Sequence, residues 1–170
     1  MGDDLRSIVL GTTGLLVVAL ISVWLTAFRV ESPATAEARK KLQVVAALVI
    51  GVQVAHFGEE LIGGFQTQFP EILGLTEWSL EFFVGFNLFW IVVWVLAVAV
   101  IGRRIRGALF PVWFLAVASA LNGIAHPMLT ITDGGYFPGL LTSPLSGIAG
   151  IVLLRQLTAF TEGRSTSLSA

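Results

Sequence analysis

His56, Glu59 and Glu60 in "HFGEE", and Asn122 and His126 in "NGIAH", are the residues of this chain best suited to chemistry. Imidazole and carboxylate together ligate zinc or iron, and a catalytic zinc takes three protein ligands plus a water. His56, Glu60 and His126 supply such a set, which leaves Glu59 as a general base toward the water. Helix geometry suggests this division. At 3.6 residues per turn, Glu60 lies about 40° from His56 and Glu59 about 60° on the other side. A modest rotation of the helix would exchange the two. The chain has no cysteine, so disulfides and thiolate metal sites are excluded and any metal is held by nitrogen and oxygen. The expected cofactor is a divalent metal, zinc first and iron second. A di-iron centre needs about six ligands, a number reached only if Glu81 and Asn122 join.

These polar residues sit inside apolar runs. Of the 170 residues 55% are hydrophobic and 12% charged, and the mean hydropathy is +0.86. Soluble domains carry roughly 25% charged residues, so the composition argues for a membrane protein. A net charge of −1 offers no basic surface for nucleic acid. Apolar segments at about 8–28, 42–63, 80–101, 108–125 and 137–154 predict one all-α, polytopic transmembrane helical bundle over residues 1–170. The fifth segment is the weakest, because Pro138 and Pro144 interrupt it and Arg155 ends it early. The acidic start "MGDDLRS" reads as the beginning of the first span, not as a signal peptide. The polar tail "TEGRSTSLSA" is expected to fray.

Orientation follows from charge. Arg29, Arg39, Lys40, Lys41, Arg103, Arg104, Arg106, Arg155 and Arg164 fall on one side of a five-span arrangement, nine of the ten basic residues. The opposite loops carry Glu71, Glu77 and Asp133. The positive-inside rule then puts the N-terminus outside and the C-terminus inside. Counted from the inner ends at about 1.5 Å per residue, His56 and Glu60 lie about 20 and 26 Å up the second helix. Asn122 and His126 lie about 21 and 27 Å up the fourth. The only two histidines therefore share a depth in the outer half of the bilayer. Gly51, Ala55 and Gly58, and Ser119 and Gly123, would let other helices approach closely. Asn122, Tyr136, Glu81 and Asn87 are expected around the ligands or against substrate. Trp78 reads as part of an aromatic belt on an interfacial flap, and Trp90, Trp94 and Trp113 as lipid-facing or packing residues.

"HFGEE", "NGIAH" and "YFPGLLT" (Tyr136, Pro138, Gly139, Thr142) in this order resemble the HXXEE family of multi-pass membrane proteins. The resemblance covers most of the chain from the second helix onward. It implies that these positions form one site, and it implies no particular reaction.

Each residue also has a plainer reading. A lone helical histidine is commonly just hydrogen-bonded, Glu60 could reach the outer headgroups, and Asn122 could join two helices. Two carboxylates on the face of a histidine weigh against that, because intramembrane ionisable groups default to function. The reading that results is a metal-dependent hydrolase in the cell membrane. Its partners would be membrane lipids and a lipidic or apolar substrate, and a homo-oligomer is left open. A metal-free alternative is similar in residue types to glutamate-dependent CAAX-type proteases, although their motif lacks the leading histidine. The non-enzymatic alternatives are a haem held between His56 and His126 and a proton or ion path.

Overall fold

Apolar runs free of breakers fold as helices in the computed structural model, which describes residues 2–103, 105 and 107–163. Arg104, Arg106 and Arg164, used in the orientation argument, and the tail 164–170 lie outside the described residues. The helices are α1 (Gly2–Gly11), α2 (Thr13–Phe28), α3 (Ala36–Gly63), α4 (Phe65–Ile72), α5 (Leu80–Ala99), α6 (Leu109–Asp133) and α7 (Ser143–Phe160). Local chemistry sets their ends. Thr35 and Ser79 accept the N–H of Ala38 and Phe82 and so cap α3 and α5. Gly64 and Gly134, in the left-handed region, stop α3 and α6.

Four of these helices (α3, α5, α6 and α7) are long and apolar enough to cross a membrane, and α1 with α2 would make a fifth span bent by 45°. This fits an all-α integral membrane protein. Several expected boundaries are corrected, and the second run already begins at Ala36, six residues before the expected start. The first apolar run is broken at Thr12, whose hydroxyl donates to the Ile8 carbonyl at 2.7 Å. The fourth continues past Ala125 through Pro127 to Asp133, since neighbouring helices can offset an internal proline in a membrane protein. The fifth begins only at Ser143, with Pro144 in the first turn where proline is tolerated, and runs past an exposed Arg155 to Phe160. Residues 137–142 are a turn. The expected frayed tail instead starts as a strand: β2 (Thr161–Gly163) pairs antiparallel with β1 (Arg29–Glu31). That pairing, with the Gly102 N–H donated to Glu31, gathers the basic loops at one end of the bundle.

The core runs along α3, α6 and α7, where Leu42, Val49, Val112, Trp113, Leu115, Leu153 and Leu157 are fully buried. Bare glycines let α6 and α7 touch at the backbone. A Cβ on Gly123 would lie 2.8 Å from Gly147 Cα, and one on Gly150 would collide with the backbone N of Ala120. The expected small-residue seam on α3 is not used this way, because a Cβ on Gly51 or Gly58 meets nothing within 4 Å. Trp78 is also reassigned. Residues 64–79 fold back onto the bundle, so Trp78 is buried against Phe57 and Phe83 with Gly11 beneath its ring. Trp113 is buried as a packing residue, whereas Trp94, also buried, and Trp90 line a cavity, which the expectation of lipid-facing or packing residues did not include.

Gly150→Leu should therefore force α6 from α7 and cost about 1–3 kcal/mol, as overpacking does. Gly51→Leu, on the open face, should stay within about 0.5 kcal/mol of the parent protein. Thermal unfolding in detergent checks the pair, and equal losses would contradict the packing described.

Candidate metal centre

His56 and Glu60 stand one turn apart on α3, and His126 faces them from α6. All three are buried, with 0%, 7% and 3% of their surface exposed. The two Nε2 atoms are 3.1 Å apart. Glu60 Oε1 lies 3.5 Å from His56 Nε2 and 3.4 Å from His126 Nε2. A tetrahedral centre with bonds of about 2.0–2.1 Å has ligand–ligand edges of about 3.3–3.4 Å, close to this triangle. These three residues form a group that could hold a metal ion.

The other ring nitrogens decide the tautomers. His126 Nδ1 lies 2.7 Å from the Pro138 carbonyl, which can only accept, so this nitrogen carries the proton. His56 Nδ1 lies 2.7 Å from Thr142 Oγ1. The Thr142 hydroxyl is itself committed as a donor to Glu59 Oε2 at 2.6 Å, so it accepts from His56 Nδ1–H. With both Nδ1 atoms engaged as donors, the two Nε2 atoms are left facing one another and Glu60. Protonated Nδ1 atoms held by a carbonyl and by a carboxylate-linked hydroxyl are what metal-ligating histidines usually have.

Glu59, expected as a base, points elsewhere. Its Oε1 accepts from the Tyr136 hydroxyl at 2.7 Å and the Leu141 N–H at 2.9 Å, and its Oε2 from the Thr142 N–H at 2.8 Å as well as the Thr142 hydroxyl. Four donors on one carboxylate tie the turn 136–142 to α3. Tyr136 is expected near the site and is found in this harness. Its phenol is pushed up to about 12, first by desolvation and then by the hydrogen bond to Glu59 and its charge, so it stays a donor at neutral pH. Gly139, at φ 91°, presses on both imidazoles: a Cβ there would sit 2.5 Å from His126 Nδ1 and 2.9 Å from His56 Cε1.

Beyond Glu60 and His126 opens a cavity of about 300 Å³ between α2, α5 and α6, walled by Phe65, Phe83, Trp90 and Trp94. Asn122 and Asn87 line it, the latter with its amide donated to the Phe83 carbonyl at 3.0 Å. Glu81 is exposed on the first turn of α5, so it is not brought to the ligands, and the six-ligand di-iron set is not assembled. Gln53 and Ser119, buried deeper and 3.4 Å apart, were not expected there. Their signal was only that both are polar within apolar helices. Thr142 and the Pro138 carbonyl, which orient the rings, were visible only as members of the "YFPGLLT" motif. A larger recess of about 760 Å³ lies at the basic end among Val23, Arg29, Glu31 and Phe110. It is far from the histidines, and its Arg29 already binds Thr158 and Thr161.

Comparison with protein-family models, with curated proteins and with solved structures returns no match for the chain.

Thr142→Val removes the acceptor for His56 Nδ1–H and should weaken metal binding about 10–100-fold. Gly139→Ala should displace both rings and weaken it at least as much. Metal titration of the purified variants checks both, and an unchanged affinity for Thr142→Val would break the proposed link from Glu59 to His56.

Proposed function

We propose that this protein is a membrane-embedded, metal-dependent hydrolase acting on a lipidic or apolar substrate. The observation that carries the reading is the convergence of two buried imidazole lone pairs and a carboxylate oxygen at the mouth of an apolar cavity. Two imidazole nitrogens and a carboxylate oxygen within reach of one point suit a cation, and the mixed nitrogen and oxygen set suits zinc ahead of iron. Such an ion, held by His56, Glu60 and His126, would supply an activated water and polarise a carbonyl or phosphoryl oxygen.

The chain's own residues then divide the work. His56, His126 and Glu60 hold the ion. Glu60 is also the carboxylate that lines the cavity, so proton transfer with a bound substrate falls to it. The four hydrogen bonds on Glu59 support a positioning role in place of the base role that helix spacing suggested. Membership of the HXXEE family, a place in the cell membrane, and an orientation with the N-terminus outside belong to the same proposal. The basic residues at the end opposite the histidines support that orientation.

A haem between the histidines does not fit. Axial nitrogens stand about 4 Å apart across an iron, given bonds of about 2.0 Å. Here they approach to 3.1 Å with Glu60 at the same point. A proton path has one observation in its favour, because 3.1 Å is also a hydrogen-bond length.

Elemental analysis of purified protein should find about one zinc or iron per chain, as expected for a three-ligand site. His56→Ala and His126→Ala should abolish it, whereas Glu59→Gln should weaken it without abolishing it. Active protein that lacks stoichiometric metal and ignores chelators would transfer the site to the proton-path or metal-free hydrolase reading. Single cysteines can report orientation cleanly in this cysteine-free chain. A membrane-impermeant thiol reagent should label positions in 66–76 and 131–136 on intact cells, and Lys40→Cys only after lysis. The reverse pattern would invert the topology.

A further inference from the structure

The cavity beside Glu60 and His126 has an ionisable end, a largely apolar body and a side opening. Of its lining residues, Gly14 on α2 and Leu121 and Ala125 on α6 are exposed. A Cβ on Gly14 would meet nothing within 4 Å, so α2 leaves the cavity uncovered at that point, although the two helices are packed together elsewhere along their length. The 45° bend at Thr12 helps to leave it open. It carries α1 across to the 64–79 segment, where Ser7 donates to the Thr76 carbonyl and Gly11 lies under Trp78. The opening lies in apolar helices, at the level a bilayer would cover. Behind it the cavity reaches from Glu60 to Gln53, a rise of about 10 Å along α3. At about 300 Å³ it stands at the lower limit of small-ligand pockets.

From these features we infer that the cavity takes a single-chain amphiphile from the bilayer through the gap between α2 and α6. One acyl or isoprenoid chain lies along Phe83, Trp90 and Trp94. Its polar, hydrolysable head meets the Glu60–His126 edge. About 300 Å³ over about 10 Å gives room for a medium-length stretch of one chain and not for two chains side by side. Charge and polarity agree with this: the charged and imidazole groups of the lining, Glu60 and His126, lie together with Asn122, and apolar residues, many of them aromatic, make up most of the rest. This ligand class rests on the metal-site reading for the placement of its head, whereas the chain and its entrance rest on the cavity alone.

The test uses full-length protein in vesicles of saturated phosphatidylcholine and two diazirine probes, one a free fatty acid and the other a diacyl phospholipid carrying the same chain. The fatty-acid probe should crosslink to residues lining the cavity, and the phospholipid only to outward-facing positions. Gly14→Trp and Leu121→Trp, which close the seam from either side, should each lower cavity labelling about tenfold or more, with metal content retained. Equal cavity labelling by both probes, or labelling indifferent to both closures, overturns the single-chain ligand while the metal reading stands. Labelling as expected in protein that never holds metal supports the ligand class and overturns the metal reading alone.

Discussion

Two buried ring nitrogens 3.1 Å apart constrain nearly every other feature of this end of the bundle. Lone pairs aimed at one another repel unless something positive lies among them, and they stay so aimed only if the far nitrogens are held as donors. Pro138 and Thr142 do the holding, so the turn 136–142 must lie over the rings. That turn approaches closely because two positions lack side chains. A Cβ on Gly63 would fall 2.7 Å from Pro138 Cβ, and one on Gly139 would strike both imidazoles. The α6–α7 contact at Gly123, Gly147 and Gly150 sets α7 close enough to α6 for Thr142, at its start, to reach His56 on α3.

The adjacent glutamates make sense within this geometry. Consecutive helical residues project about 100° apart, so two neighbouring carboxylates cannot serve the same point equally. Glu60 turns to the rings and the cavity. Glu59 turns to the turn and takes four donors from it. The ligand cluster and its cover are therefore fastened to α3 at neighbouring positions, and a rotation of α3 would loosen both together.

What could be read in the sequence was whatever helix arithmetic governs. Depth counted along two helices, and the i, i+4 spacing, brought His56, Glu60 and His126 together in advance of any coordinates. The division between Glu59 and Glu60 rested on a difference of about 20° between 40° and 60°. The structure keeps Glu60 at the rings, but the work of Glu59 depends on a turn that has no period to count. A proline carbonyl carries no signature of its own role. Small residues likewise permit close approach without requiring it: Gly51 and Gly58 face open space, while Gly123 meets another backbone. The break at Thr12 was hidden because the apolar pattern runs across it without a proline. The burial of Trp78 was hidden because it depends on how residues 64–79 fold back.

Charge balance links the site to its surroundings. A buried ion in a low-dielectric setting is costly unless its charge is matched nearby. A divalent cation among His56, His126 and Glu60 leaves one positive charge after Glu60 is counted, because both rings are neutral. Glu59 supplies the second negative charge one hydroxyl away, through Thr142 and His56 Nδ1–H. The group as a whole is then neutral, with its polarity directed inward and its outer wall of Phe65, Phe83 and Trp94 free of charge. Without such a cation Glu60 would be a buried carboxylate with only the two rings beside it, whereas Glu59 would keep its four donors. Removing either glutamate while the cation stays would leave net positive charge beside an apolar cavity. The paired carboxylates and a divalent ion would in this sense form a single electrostatic unit, which would let an apolar helix carry the "EE" doublet.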